Sequence, residues 1–209
     1  MKKIFHIVAS PRGDDSRTLE LSEAFLSEFL KKHPDWMVDE LNLWTEKLPP
    51  MTMKRVDGKY MLLGGKDLFG EFKEAWEEII QHIDRFKAAD LYLVSTPMWN
   101  FSIPYMLKQY IDIIVQPKFL FHYTPTGPEG LITNKKMIIC TSRGGDYSSD
   151  AMKPFDHQEP YLRTVFGFVG IKDITFLNAQ PMDLGKELQQ QKLQEAKALA
   201  HDVADRLST

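Results

Sequence analysis

Three short stretches hold the residues with which this chain could do chemistry. The first, SPRGDDSRT at residues 10–18, places the hydroxyls of Ser10, Ser16 and Thr18 and the cation of Arg17 at the start of an apolar-periodic run. Free amides at a helix start hold phosphate well. Ser16 and Thr18 are equally the residue types that cap a helix. The second, PMWNFSIP at 97–104, is aromatic. Pro97 limits the exit from whatever strand precedes it. Met98, Trp99 and Phe101 offer an apolar wall, and the Asn100 amide both donates and accepts. Such a loop lines a flat ligand or plugs the core. The third, SRGGDYSSD at 142–150, contains Ser142, Arg143, Gly144 and Gly145. The paired glycines let backbone N–H groups approach a ligand closely. Arg143 either brings charge to that ligand or makes a structural ion pair.

These stretches form one site only if the chain delivers them to one edge. Each follows an apolar run that reads as a strand: residues 3–9, 90–96 and 136–141. Residues 36–43 and 172–178 read as two further strands. Helical periodicity covers 16–32, 69–86, a segment from about 103, 159–168 and 185–206. Glycines 58, 64 and 65 interrupt residues 51–68, which read as no long element, and 117–134 reads as a long connection. Strands that alternate with helices, several of them apolar throughout, indicate a parallel sheet covered on both faces. In such sheets ligands bind beyond the carboxyl ends of the strands. A phosphate nest, a flat apolar wall and a glycine-lined polar edge together suit flavin mononucleotide (FMN) better than a nicotinamide dinucleotide.

Composition narrows the alternatives. The 209 residues fit a single domain, 1–209, and include 13 Phe, 7 Tyr and 4 Trp, enough for a folded core. A net charge of -3 offers no general field for nucleic acid. The chain contains neither G-x-G-x-x-G nor G-x-x-x-x-G-K-[ST], which disfavours a Rossmann dinucleotide clamp and a triphosphate loop. It also lacks H-E-x-x-H and a cysteine cluster, so no metal site is expected. His6 lies inside a strand and reads as structural. Asp112 and Glu129 read as surface or structural carboxylates. Cys140 is the single cysteine and suits a reducing compartment. The opening MKKIFHIVASPRG has too short an apolar run for a leader. No stretch reaches the roughly 18 apolar residues of a membrane span. A cytoplasmic protein without stable membrane association is expected.

The segments PMWNFSIPYMLKQYID, FHYTPTGPEGLITNKK, TSRGG and GFVGIKDITF, in this order, resemble the FMN-dependent NADH:quinone oxidoreductases and azoreductases of the flavodoxin-like superfamily. The likeness runs nearly the full length. It implies a flavodoxin-like three-layer α/β/α sandwich around a five-stranded parallel sheet in order 2-1-3-4-5. It implies that Ser10, Ser16, Arg17 and Thr18 hold the FMN phosphate, and that Pro97, Met98, Trp99, Asn100 and Phe101 hold the ring. Ser142, Arg143, Gly144 and Gly145 complete the implied site. Ser16-Arg17-Thr18 stands where the family often has serine–glutamine–serine, and Trp99 where tyrosine is common. The implied reaction is ping-pong: NADH or NADPH reduces the flavin, and a quinone or azo aromatic compound then takes two electrons. No catalytic side chain is required, because the cofactor carries the electrons. The implied assembly is a homodimer, with the residues around Met106, Tyr110 and Phe119 expected on its interface. An NADPH-dependent FMN reductase and a flavodoxin-like electron carrier are the alternatives.

Overall fold

The computed structural model describes residues 1–207. In chain order the first elements are β1 (Lys3–Val8), α1 (Arg17–Lys32), β2 (Met37–Asn42), α2 (Met53–Leu63), α3 (Gly70–Lys87) and β3 (Leu91–Pro97). There follow α4 (Tyr105–Ile114), β4 (Phe121–Thr124), β5 (Gly127–Gly130), β6 (Lys136–Ser142), α5 (Glu159–Phe168), β7 (Asp173–Ala179) and α6 (Lys186–Arg206). Five strands pair in the order β2-β1-β3-β6-β7, all parallel. This is the expected order once the small β4–β5 hairpin is set aside.

Side-chain alternation sends successive residues of the central strands to opposite faces. Ile4, Leu91, Leu93, Ile138 and Cys140 are buried under α1 and α6, against Leu21, Phe25, Phe29 and Ala200. Phe25 and Phe29, four residues apart, stack at 5.7 Å, as same-face helix neighbours do. On the other face Phe5, Ile7, Tyr92, Val94 and Ile139 pack against Trp76, Ile79, Leu107, Ile111 and Phe166 from α3, α4 and α5. Each such aliphatic or aromatic burial contributes about 1.5–3 kcal/mol. His6 is structural: it is 3% exposed, and its Nε2 lies 2.8 Å from Ser95 Oγ.

Two segments differ from the sequence expectation. Residues 51–68 contain α2, capped by Thr52, whose hydroxyl accepts from the Arg55 N–H at 3.4 Å. Gly58 does not break this helix; it is the contact point on which Trp76 of α3 packs. The 117–134 connection folds into the β4–β5 hairpin. Of the expected interface residues, Tyr110 is corrected, whereas Met106 and Phe119 are only partly buried. Tyr110 is fully buried in the chain's own core, Phe119 stacks on Trp76 at 6.3 Å, and Met106 packs partly buried against the same core.

Candidate active site

At the carboxyl ends of β1, β3, β6 and β7 lies a cleft of about 250 Å³. Ser10, Ser16, Arg17, Thr18, Pro97, Met98, Trp99, Ser142, Arg143 and Gly144 all border it. Ten of the thirteen expected site residues therefore meet at one place. Asn100, Phe101 and Gly145 lie outside it.

The first corner is built by the start of α1. Ser16 caps the helix: its Oγ accepts from the Leu19 N–H at 3.3 Å and lies 2.7 Å from Ser10 Oγ. Thr18 Oγ1 lies 2.6 Å from Ser142 Oγ, tying the first loop to the third. Capping and site-building are thus performed by the same residues. With Leu19 capped, the N–H groups of Arg17 and Thr18 donate to nothing among the described residues. They leave the positive end of the helix open to an anion.

The middle loop makes a two-residue turn. Trp99 and Ser102 exchange both backbone hydrogen bonds at 2.9 Å. Asn100 has φ 46° and Phe101 φ 70°, and positive φ at both central positions marks a type I′ turn. Asparagine accepts that conformation readily, whereas for a phenylalanine it is an outlier. Such backbone costs on the order of 1–3 kcal/mol and is held by its surroundings. Here the Phe101 carbonyl accepts from the His157 N–H at 2.9 Å, and its ring meets Phe155 at 5.9 Å. The Trp99 N–H is consumed by the Ser102 carbonyl. Those of Asn100 and Phe101 have no partner among the described residues.

Trp99 joins this cleft to a second, wider one of about 820 Å³. Asn100, Met51, Ile103, Tyr105, Lys108, Asp112 and Tyr161 line that space. Trp44, which sequence reading passed over, packs on Trp99 at 5.6 Å and on Tyr105 at 5.5 Å. Asp112 accepts both hydrogen bonds from Lys108 at 2.7 Å. Burial, with Asp112 nearby, pushes the Tyr161 hydroxyl up to about 12. It therefore stays protonated throughout the neutral range.

In the third loop the Arg143 guanidinium is turned into the protein. Its side chain is 2% exposed. Nη1 donates to Asp156 Oδ2 at 2.9 Å, and Nε reaches Thr141 Oγ1 at 3.1 Å and Gln158 Oε1 at 3.2 Å. Nη2 stands 3.7 Å from Glu159. The structural ion pair, not a free charge, is the alternative realised. The N–H groups of Gly144 and Gly145 donate to nothing among the described residues. Sequence reading also missed Asp183, which borders the cleft and accepts from Arg17 Nη1 at 3.2 Å. The signal was present: Asp183 follows the carboxyl end of β7, in the same position relative to its strand as the other three loops.

The arrangement can hold an anion at the α1 corner and a flat apolar group along Trp99. No set of three or more His, Cys, Asp or Glu side chains among the described residues is placed to hold a metal ion. Among them, no helix is long and apolar enough to cross a membrane.

Comparison with known proteins agrees with this geometry. A family model described as "Flavodoxin-like fold" matches residues 2–203. The FMN-dependent NADH:quinone oxidoreductase of Desulfotalea psychrophila is 35% identical over 208 residues, covering 99% of this chain and 98% of that protein. The crystal structure of an azoreductase from Bacillus anthracis str. Sterne superposes with a TM-score of 0.89 at 28% identity, over 99% of this chain and 100% of that one. An FMN-dependent NADH-azoreductase from Bacillus anthracis str. Ames Ancestor, solved in complex with FMN, gives 0.83 at 27% identity, over 98% and 100%.

Proposed function

Because the chain belongs to the flavodoxin-like family of FMN-dependent NADH:quinone oxidoreductases and azoreductases, we propose that its carboxyl-end cleft holds FMN and passes two electrons from NADH or NADPH to quinones and azo aromatic compounds. The observation that carries the assignment of the site is the meeting of the unpartnered Arg17 and Thr18 amides with the unpartnered amide of Gly144 in one cleft, with that of Gly145 next along the chain beyond its edge. The Arg17 and Thr18 amides suit the phosphate, and those of Gly144 and Gly145 suit a polar ring edge.

When bound, FMN would supply the two-electron chemistry between nicotinamide and acceptor. The residues of this chain bind and orient. Ser10, Ser16, Arg17 and Thr18 hold the phosphate; Pro97, Met98 and Trp99 form the wall against the ring; Ser142 and Gly144 close the third side. Asn100, Phe101 and Gly145 act at the rim, through the free amides of the strained turn and of the glycine pair. Arg143 is a brace for the glycine loop. Donor N–H groups aimed at a ring edge stabilise negative charge that develops there on reduction.

The wider cleft beside Trp99 is the assigned entry for nicotinamide and acceptor. Its wall of Met51, Ile103, Tyr105 and Tyr161 suits flat aromatic molecules. The reading takes residues 1–209 as one FMN-binding domain, since a single sheet has both faces covered by its own helices. It takes the assembly as a homodimer. The support is an exposed apolar stripe on α2, where Met53 is 83% exposed, Tyr60 67% and Leu63 39%, together with the breadth of the cleft beside it. The reading takes the location as cytoplasmic, supported by a single free thiol of the kind a reducing compartment keeps.

The test is direct. The purified chain is loaded with FMN, and NADH and NADPH oxidation are followed with a quinone, an azo dye and no acceptor. Acceptor-dependent oxidation with parallel lines in double-reciprocal plots is expected. FMN binding without nicotinamide oxidation would instead make the protein an electron carrier. Light scattering across concentration reads the dimer, and a fully active monomer would overturn that part.

A further inference from the structure

One group in the cleft is out of place. Hydroxyls, free amides, Arg12 and Arg17 make the α1 corner a donor-rich surface for an anion. Asp183 brings a carboxylate into the same corner. Its backbone is fixed there, while its carboxylate is 71% exposed and free to turn away. The Asp183 N–H donates to the Gly144 carbonyl at 3.1 Å, which ties the residue to the glycine loop. Its carboxylate lies over Gly144, so closely that a Cβ at that position would come within 2.5 Å of Oδ2. From there Oδ1 takes the Arg17 guanidinium at 3.2 Å. The pair therefore spans the cleft, from the first turn of α1 to the segment after β7.

A phosphate monoester carries about -1.5 to -2 charges at neutral pH, and a carboxylate beside it is a like charge. Arg17 can offer its donors to the phosphate fully only after giving up Asp183. We propose that Asp183 is an internal competitor for Arg17. It neutralises Arg17 while the corner holds no phosphate, it is displaced when phosphate arrives, and it thereby weakens the hold on FMN and speeds cofactor exchange. The inference rests on the FMN reading and concerns only the phosphate end. Riboflavin, which lacks the phosphate, should not feel it. The opposing possibility is that Asp183 accepts hydrogen bonds from the sugar-like chain shared by FMN and riboflavin.

The experiment uses the full chain and two variants, Asp183→Asn at an exposed position and Arg17→Gln at a partly exposed one. FMN and riboflavin affinities are measured by fluorescence quenching, and FMN release from the loaded protein by recovery of fluorescence on dilution. In Asp183→Asn, FMN should bind about fivefold tighter and leave more slowly, the scale expected of a partly exposed charge contact, with riboflavin unchanged. In Arg17→Gln, FMN should weaken and riboflavin should not. Adding Asp183→Asn to Arg17→Gln should then gain less than it does alone, because the competition for Arg17 has gone. Weaker FMN binding in Asp183→Asn, or equal changes for FMN and riboflavin, would overturn the proposal. The FMN reading would fall separately, if the unmodified chain bound neither flavin.

Discussion

Replacing Arg143 with methionine tests the brace beneath the glycine loop. Methionine keeps much of the side-chain length but removes every donor. Asp156, whose side chain is 11% exposed, loses its cation. Removing one partner of a buried pair typically costs about 3–5 kcal/mol, because the remaining charge stays buried. Two features place this case at the low end. Asp156 Oδ1 keeps the N–H donors of Gln158 at 2.9 Å and Glu159 at 3.0 Å, and Glu159 is partly solvated. A loss of about 3 kcal/mol, at roughly 2–4 °C per kcal/mol for a domain of this size, lowers Tm by about 6–12 °C. Thermal unfolding without cofactor reads this directly. Arg143→Lys should recover only part of the loss, since one ammonium cannot reach Asp156, Thr141 and Gln158 together. A Tm within about 2 °C of the unmodified protein in Arg143→Met would refute the bracing role.

Three further outcomes are expected. Ser16→Ala with Thr18→Ala should weaken FMN more than riboflavin and cost about 1 kcal/mol of stability through the lost cap; flavin titration beside thermal unfolding separates the two effects, and equal weakening of both flavins would count against phosphate recognition. Tyr110→Phe should leave stability unchanged or raise it by up to about 1 kcal/mol, since the Tyr110 hydroxyl is buried without a hydrogen-bond partner among the described residues; a clear fall in Tm would reveal a partner for it. Cys140 is fully buried, and that burial pushes its thiol well above the ordinary range, so a maleimide should label it only as fast as the protein unfolds; rapid labelling of the native protein would contradict its placement.

The central strands β1, β3 and β6 were legible as apolar runs bounded by breakers and β2, MVDELN, by its alternation, and the carboxyl-end loops of the central strands were legible because polar and glycine residues follow those runs. What sequence hid depends on partners far along the chain. Gly58 reads as a helix breaker until Trp76, eighteen residues on, is seen packed against it. β4 and β5 are four residues each, and β5, GPEG, has no periodicity to detect. The direction of Arg143 was undecidable locally, because Asp156, Gln158 and Glu159 reach it through a turn that sequence does not show. Tyr110 sits on an apolar helix whose inward face only the packing reveals. Asp183 was overlooked for a different reason: the carboxyl-end rule applied to it, but the segment after its strand, QPMDLG, has no hydroxyl, aromatic or paired glycine to mark it.

The β4–β5 hairpin meets the end of α5 through the rings of Phe121 and Phe168, 4.6 Å apart, and through close backbone contact. A Cβ on Gly130 would run into the Val169 carbonyl group, and one on Gly170 would come within 2.8 Å of the Ile132 carbonyl. The Ile132 N–H closes the junction on Val169 at 2.8 Å. Positions 130 and 170 consequently tolerate no side chain, whatever its chemistry. Its tip is the reverse. Pro125 and Thr126 form a two-residue turn between Thr124 and Gly127, held only by the Thr124 hydroxyl and its neighbours. For protein engineering this makes the tip an attachment point: a tag, a reporter or a lengthened loop inserted there extends the ribbon outward while the welded base keeps its seat on α5.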